Sequence, residues 1–180
     1  MKENKGYLQR YAMLFGTYMG GFWILKFILF PLGMTIPFLL LLFMVLTLCV
    51  PFMGYYYARA YRNHICGGSI NFFHAWLFTT LMYMFAALLA SVAHYIYFKY
   101  IDQGLVFSYY DGLVNTLSKM QGMEKYVDLQ KESLAVMRSM TSIEITMQFM
   151  SMDVFYCSIL AIPTALFVMK RKKDENNKEA

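Results

Sequence analysis

The sequence predicts an all-α polytopic membrane protein, with four transmembrane helices and an extracytoplasmic amphipathic helical loop, on three observations. Of 180 residues, 59% are hydrophobic and 15% charged, against roughly 45–50% and about 25% in soluble domains. Near-continuous apolar runs cover about 11–30, 37–57, 73–98 and 145–169, each close to the roughly 20 residues that cross a ~30 Å hydrocarbon core as a helix. Sixteen Phe, fifteen Tyr, two Trp and sixteen Met would coat a soluble domain of this size with apolar surface. A soluble enzyme is therefore not expected.

The first run follows Lys2, Lys5 and Arg10, as a signal peptide would. It is about 20 residues long with no small-residue cleavage site after it, so it is expected to stay as an anchor. Pro31 and Gly33 are expected to close it, and Thr35 to cap a second helix whose first turn tolerates Pro37. Ala12, Gly16 and Gly20 recur every four residues, as do Ala86 and Ala90 beside Ala87 and Ser91 in the third run, which predicts close helix approach. Ser69 or Asn71 is expected to cap the third helix, and Pro51 and Pro163 to kink the second and fourth. Within the loop over 99–144, Leu113, Val114, Leu117 and Met120, then Met123, Tyr126, Val127, Leu134 and Met137, follow helical spacing on either side of Gly122. Two amphipathic helices are expected there, covered by the membrane interface or by the end of the bundle. The remainder, 170–180, reads as a basic tail on a single membrane domain.

Orientation follows from Lys and Arg, which are retained on the cytoplasmic side. Ten of the sixteen basic residues lie at the N-terminus, in the Arg59–Arg62 connection and in the tail from Lys170, whereas the 31–36 turn has no charge and the long loop mixes both signs. Both termini are predicted cytoplasmic. The net charge of +5 is thus mainly a topology signal, and no nucleic-acid partner is expected.

Arg59, Arg62, Asn63 and His64 lead into Gly67, Gly68, Ser69 and Asn71. A helix start beside two arginines suits an anion, so Arg59, Arg62, Gly67, Gly68 and Ser69 are candidates for a phosphate or lipid head-group contact. The plainer reading is that the arginines set topology and the glycines make a turn. This stretch through Phe72 and Phe73, followed by Ile96, Tyr97, Tyr100-Ile101-Asp102, a methionine-rich loop and a last span ending in Lys170 to Lys173, resembles the bacterial membrane family called domain of unknown function 4199. The similarity covers nearly the whole chain and departs from the family pattern at Gln103, where a proline is expected. It implies a bacterial inner-membrane location and no established activity. It also implies a gene setting near a prenyl-phosphate glycosyltransferase.

Methionines at 120, 123, 137, 140, 147, 150 and 152 invite a copper(I) reading, but four of them stand where amphipathic helices need apolar side chains, and packing is expected instead. His64, His74 and His94 are dispersed, with interfacial hydrogen bonds expected at the last two, and Cys49, Cys66 and Cys157 share no ligand or redox spacing. No catalytic constellation, metal site or cofactor is expected. Lys26 and Asp153 are the exception, an expected intramembrane polar pair facing each other at similar depth, because an ionisable residue within a span is costly and by default functional. Snorkelling by Lys26 and a structural hydrogen bond for Asp153 are the plainer alternatives. The leading expectation is a non-enzymatic accessory protein that binds membrane lipids and positions a partner, such as a membrane glycosyltransferase of envelope glycan or lipid-linked sugar synthesis. The competing one is a small oligomeric transporter or ion-coupled permeability unit using Lys26 and Asp153, with a lipid-handling enzyme using Arg59 and Arg62 third.

Overall fold

The computed structural model describes residues 3–170; Lys2 and the basic residues from Arg171 to Lys178 lie outside the described residues. The helices are α1 (Glu3–Thr35), α2 (Pro37–His64), α3 (Phe72–Ile96), α4 (Leu105–Leu117), α5 (Glu124–Ser139) and α6 (Ser142–Val168), with a π turn over Tyr97–Ile101 after α3. Four of them, α1, α2, α6 and α3 with its π turn, are long and apolar enough to cross a membrane. The architecture is all-α, and the multi-pass membrane class is met.

Pro31 and Gly33 do not close the first span. Helix α1 runs through both to Thr35, since an interior proline forfeits one backbone bond that a long, otherwise regular helix can spare. The break falls at Ile36, extended at φ −123°, ψ 98°, because the ring of Pro37 excludes the residue before it from helical geometry. Ile36 is therefore the N-cap in place of Thr35, whose hydroxyl donates back to the Leu32 carbonyl at 2.9 Å. At α3 the cap is Asn71, whose side chain accepts the His74 N–H at 2.9 Å. Thr141 and Glu144 form a capping box that starts α6.

Around the bundle, α1 packs on α2 and α3, and α6 on α3 and α2, so α1 and α6 face each other across the diagonal. The small-residue ridges make the α1–α3 seam. A Cβ on Gly16 would lie 2.7 Å from the Met82 carbonyl and from Phe85, and one on Gly20 would press on Leu89 and Ala86. On α2, Gly54 leaves room for the Tyr83 ring of α3, whose hydroxyl occupies the space of a side chain. The opposite face of α2 presents Phe38, Leu41, Leu48 and Phe52, each at least 61% exposed, a stripe that only lipid or another apolar partner covers at no cost.

At the end where α1 begins and α6 finishes, Arg62 donates to the Val168 carbonyl at 2.9 Å, and Ile70 and Lys170 exchange backbone hydrogen bonds, tying the α2–α3 connection to the last turn of α6. At the other end the π turn carries the chain to Asp102. Buried at 5% exposure, this carboxylate accepts from the Tyr97 hydroxyl (3.0 Å) and from the Gly104 and Val106 N–H groups (3.2 and 3.1 Å). Gln103, at the position where a proline is expected, sits at φ +43°, a conformation the pyrrolidine ring forbids. The turn is therefore held by the Asp102 side chain instead. Beyond it, α4 and α5 fold on each other through Val114, Val127 and Leu134, with Phe107, Tyr110, Leu117 and Met123 at the rim. Arg138 pairs with Asp111 across the hairpin. The two amphipathic helices thus cover each other first, and only the start of α4 meets α1.

Candidate functional site

A cavity of about 340 Å³ lies between α1, α2, α3 and α6, and Lys26 and Asp153 both line it. The cause is local geometry: Trp23 and Lys26 stand one turn apart on the inner face of α1, and Asp153, Tyr156 and Cys157 share one face of α6. Small Ala90 leaves room between them, and Phe27, Phe30, Phe43, Phe98 and Phe149 wall the space.

The two charged groups share the cavity without touching. No nitrogen–oxygen distance between them falls within 4.0 Å, and neither has a hydrogen bond to the described residues. The Lys26 ammonium instead lies 5.2 Å from the centre of the Phe43 ring and 5.8 Å from that of Trp23. Ring faces offset part of the cost of a cation out of water but supply no acceptor. Trp23 Nε1 is buried with no partner, as are His94 Nδ1 and the Tyr83 hydroxyl at the edge of the same region. Unpaired buried polar atoms are rare enough to need a cause.

His94 is displaced from its expected role. It is 9% exposed, its ring centre lies 4.2 Å from that of Phe27, and it lines the cavity instead of making an interfacial hydrogen bond. The reason is that the third span continues through the π turn to Ile101, so His94 lies two turns inside its end. His74 does find a partner, the Tyr61 hydroxyl at 3.1 Å. The stripe Met82, Ala86, Ala90, continued four residues, arrives at His94, so the signal was present in the sequence. Trp23 and Phe43 had no comparable signal, since an aromatic inside an apolar run reads as core or lipid-facing alike.

The basic turn is arranged otherwise. Arg62 is engaged with Val168, and its Nε with Asn63 at 3.0 Å, while Arg59 is exposed. Gly67 and Gly68 take φ of +63° and +82°, left-handed geometry that other residues rarely adopt. Ser69 donates its N–H to the Cys66 carbonyl, and the third donor of α3 is taken by Asn71. Arg59 and Arg62 thus stand in the last two turns of α2 and Gly67, Gly68 and Ser69 in the connection after it, and the structure brings no hydrogen bond between either arginine's side chain and the glycines. Burial pushes the Cys66 thiol up from its usual range, partly offset by the Tyr61 hydroxyl.

A larger groove of about 510 Å³ runs along α1, α3 and the start of α4, with walls from Ile24, Ile28, Leu32 and Ile96. It is largely apolar, with Tyr97 and Thr35 as its polar side chains and no charged residue in its walls.

No curated protein and no solved structure matches the chain. A family model does, over residues 14–170, a range that includes Trp23, Lys26, the basic turn, His94, Asp102 and Asp153. With its four membrane-length helices and this match over most of its length, the chain belongs to the family described as Protein of unknown function (DUF4199).

Proposed function

We propose that the chain is a small ion-coupled transport or permeability unit of a bacterial inner membrane, with both termini cytoplasmic, acting as a homo-oligomer and without catalysis of its own. One observation carries this reading: Lys26 and Asp153 line the same intramembrane cavity and neither has a direct partner. Burying an ionised group costs several kcal/mol unless something pairs with it, and ionisable residues inside spans are kept for ion paths and proton relays. An ion or polar solute entering between the two groups would supply what each lacks. His94, with an unpartnered Nδ1, lines the same space and would offer a further polar contact. Four helices enclose little volume, which is why an oligomer is proposed.

The test is proteoliposomes enclosing a pH-reporting dye, with proton movement driven by a valinomycin-clamped potassium gradient. Flux should appear with the unsubstituted chain, fall at least tenfold with Asp153→Asn or Lys26→Met, and survive Arg59→Gln with Arg62→Gln. Flux indifferent to both charges would remove the proposal.

A second reading rests on a different observation. Tyr126, Leu129 and Val136 on α5 are 48 to 58% exposed beside the hairpin's own core. That stripe suits an accessory protein that docks on membrane lipids or on a partner, such as a membrane glycosyltransferase of envelope glycan or lipid-linked sugar synthesis. Affinity capture in mild detergent separates the two: a stoichiometric glycosyltransferase supports the accessory role, and a pure oligomer the transport unit. A lipid head-group contact at the Arg59–Ser69 turn gains less support, because Arg62 already serves α6.

A further inference from the structure

Resting on the cavity reading above, we propose that the site takes a small zwitterion, an anionic oxygen group joined to a primary ammonium, with its anion on Lys26 and Trp23 and its ammonium on Asp153. The α1 wall is a donor wall. Trp23 is 6% exposed, its Nε1 can only donate, and it has no acceptor, while Lys26, one turn on and partly buried, carries three N–H groups with no hydrogen-bond or ion-pair partner among the described residues. The α6 wall is an acceptor wall, because an ionised Asp153 only accepts. His94, whose Nδ1 is also unpartnered, lines the same cavity from α3.

Charge balance selects among ligand classes. The walls hold one cation and one anion farther apart than an ion pair. A simple anion would satisfy Lys26 and oppose Asp153, a simple cation would do the reverse, and an uncharged apolar guest would leave both walls unmet. A zwitterion satisfies both and adds no net charge to a space of low polarity. The volume of about 340 Å³ lies at the lower end of the roughly 300–1,000 Å³ of small-molecule sites. Phe27, Phe43 and Phe149 would border the ligand's ammonium and carbon atoms.

Two sources share this chemistry, a free solute of the amino-acid type and the head group of an aminophospholipid. The second has a route. The wall residues that are exposed are Thr47 of α2 and Phe149, Tyr156 and Leu160 of α6, so the mouth is a seam between two spans, facing sideways within the membrane.

The chain has two tryptophans, and Trp76 lies outside the cavity, bonded to the Ser158 carbonyl at 3.4 Å. In a Trp76→Phe chain, fluorescence therefore reports Trp23 alone. That protein, purified in detergent, is titrated with glycerophosphoethanolamine, dioctanoyl phosphatidylethanolamine, dioctanoyl phosphatidylglycerol and ethylammonium chloride. A saturable change with one of the first two, at least tenfold tighter than with either of the last two, is expected, and which of the two binds names the source. Asp153→Asn, close in shape, and Lys26→Met should each weaken that binding at least tenfold. Because loss of a charge can also unfold the bundle, the selectivity of the Trp76→Phe chain decides alone if those variants do not fold. Equal or tighter binding of phosphatidylglycerol or ethylammonium overturns the zwitterion, as does the absence of any saturable change. If proton flux still depends on Lys26 and Asp153 in that event, only the ligand class falls; if flux is absent as well, the transport reading falls with it.

Discussion

Lys26 and Asp153 line one cavity from helices that face each other across the bundle, yet they lie farther apart than the 4.0 Å of an ion pair. They are joined by a space and not by a bond, so removing either should be felt by the other through that space. In a double-mutant cycle on detergent melting, Lys26→Met and Asp153→Leu should each lower stability, and the double change should recover part of the loss. For residues sharing a cavity the coupling should be about 0.5–1 kcal/mol, the low end of the range for interacting pairs. Strict additivity would mean that the two charges are independent.

Gly54 and Tyr83 offer a steric test. A methyl at Gly54 would occupy the place of the Tyr83 hydroxyl, which is buried and without a partner. Gly54→Ala should therefore destabilise by about 1–3 kcal/mol, the usual cost of overpacking. Tyr83→Phe should be neutral or stabilising alone, because it removes an unpaired polar group, and should rescue Gly54→Ala. A melting temperature that Tyr83→Phe fails to raise in the Gly54→Ala background would refute this account.

In the hairpin, position decides the outcome more than residue type. Leu134→Asp puts a charge against Val114 and Val127 and should lower the melting temperature sharply in detergent, with a loss of stability of roughly several kcal/mol if the carboxylate stays ionised. Leu129→Asp, on the exposed stripe, should leave detergent stability unchanged and weaken only membrane or partner association. Lys131→Ser should change neither, and parting Arg138 from Asp111, both about half exposed, should cost no more than about 1 kcal/mol.

Topology and thiol chemistry can be read together. Single-cysteine labelling should reach position 64 from the cytoplasmic side and position 125 from outside; external labelling at 64 would reverse the orientation. In a chain lacking Cys49 and Cys157, alkylation of Cys66 should require more alkaline solution than an ordinary thiol, because burial raises its pKa and only the thiolate reacts. The rate should climb as pH passes the usual cysteine range, and a rate already at its plateau there would contradict the burial seen.

How much of this was legible follows from what each signal encodes. Run length and charge placement specified the spans, and at ~1.5 Å per residue the sequence put Lys26 and Asp153 at similar depth. Depth carries no azimuth, so only packing could show that both side chains turn toward one space. The end of α1 was misjudged because a proline near the end of an apolar run reads as a stop, while a helix inside a membrane continues as long as its backbone stays bonded. Asp102 passed unnoticed as a buried acid because its partners, Tyr97 and two backbone N–H groups, exist only once the π turn has formed.

That π turn has a consequence for chain length. Five residues there make a wider turn, closed by the Asp102 N–H on the Tyr97 carbonyl, which amounts to one extra residue in an otherwise regular helix. Deleting a single residue between Phe98 and Ile101 would restore ordinary winding, and because the wide turn takes up its extra residue with little added rotation, the chain beyond it would keep nearly its direction. The α4–α5 hairpin would then leave over the same flank of the bundle, with Lys26, His94 and Asp153 in their places. A length change of one residue at this position is thus absorbed where it occurs, and neither the exposed end of the molecule nor its interior has to be rebuilt.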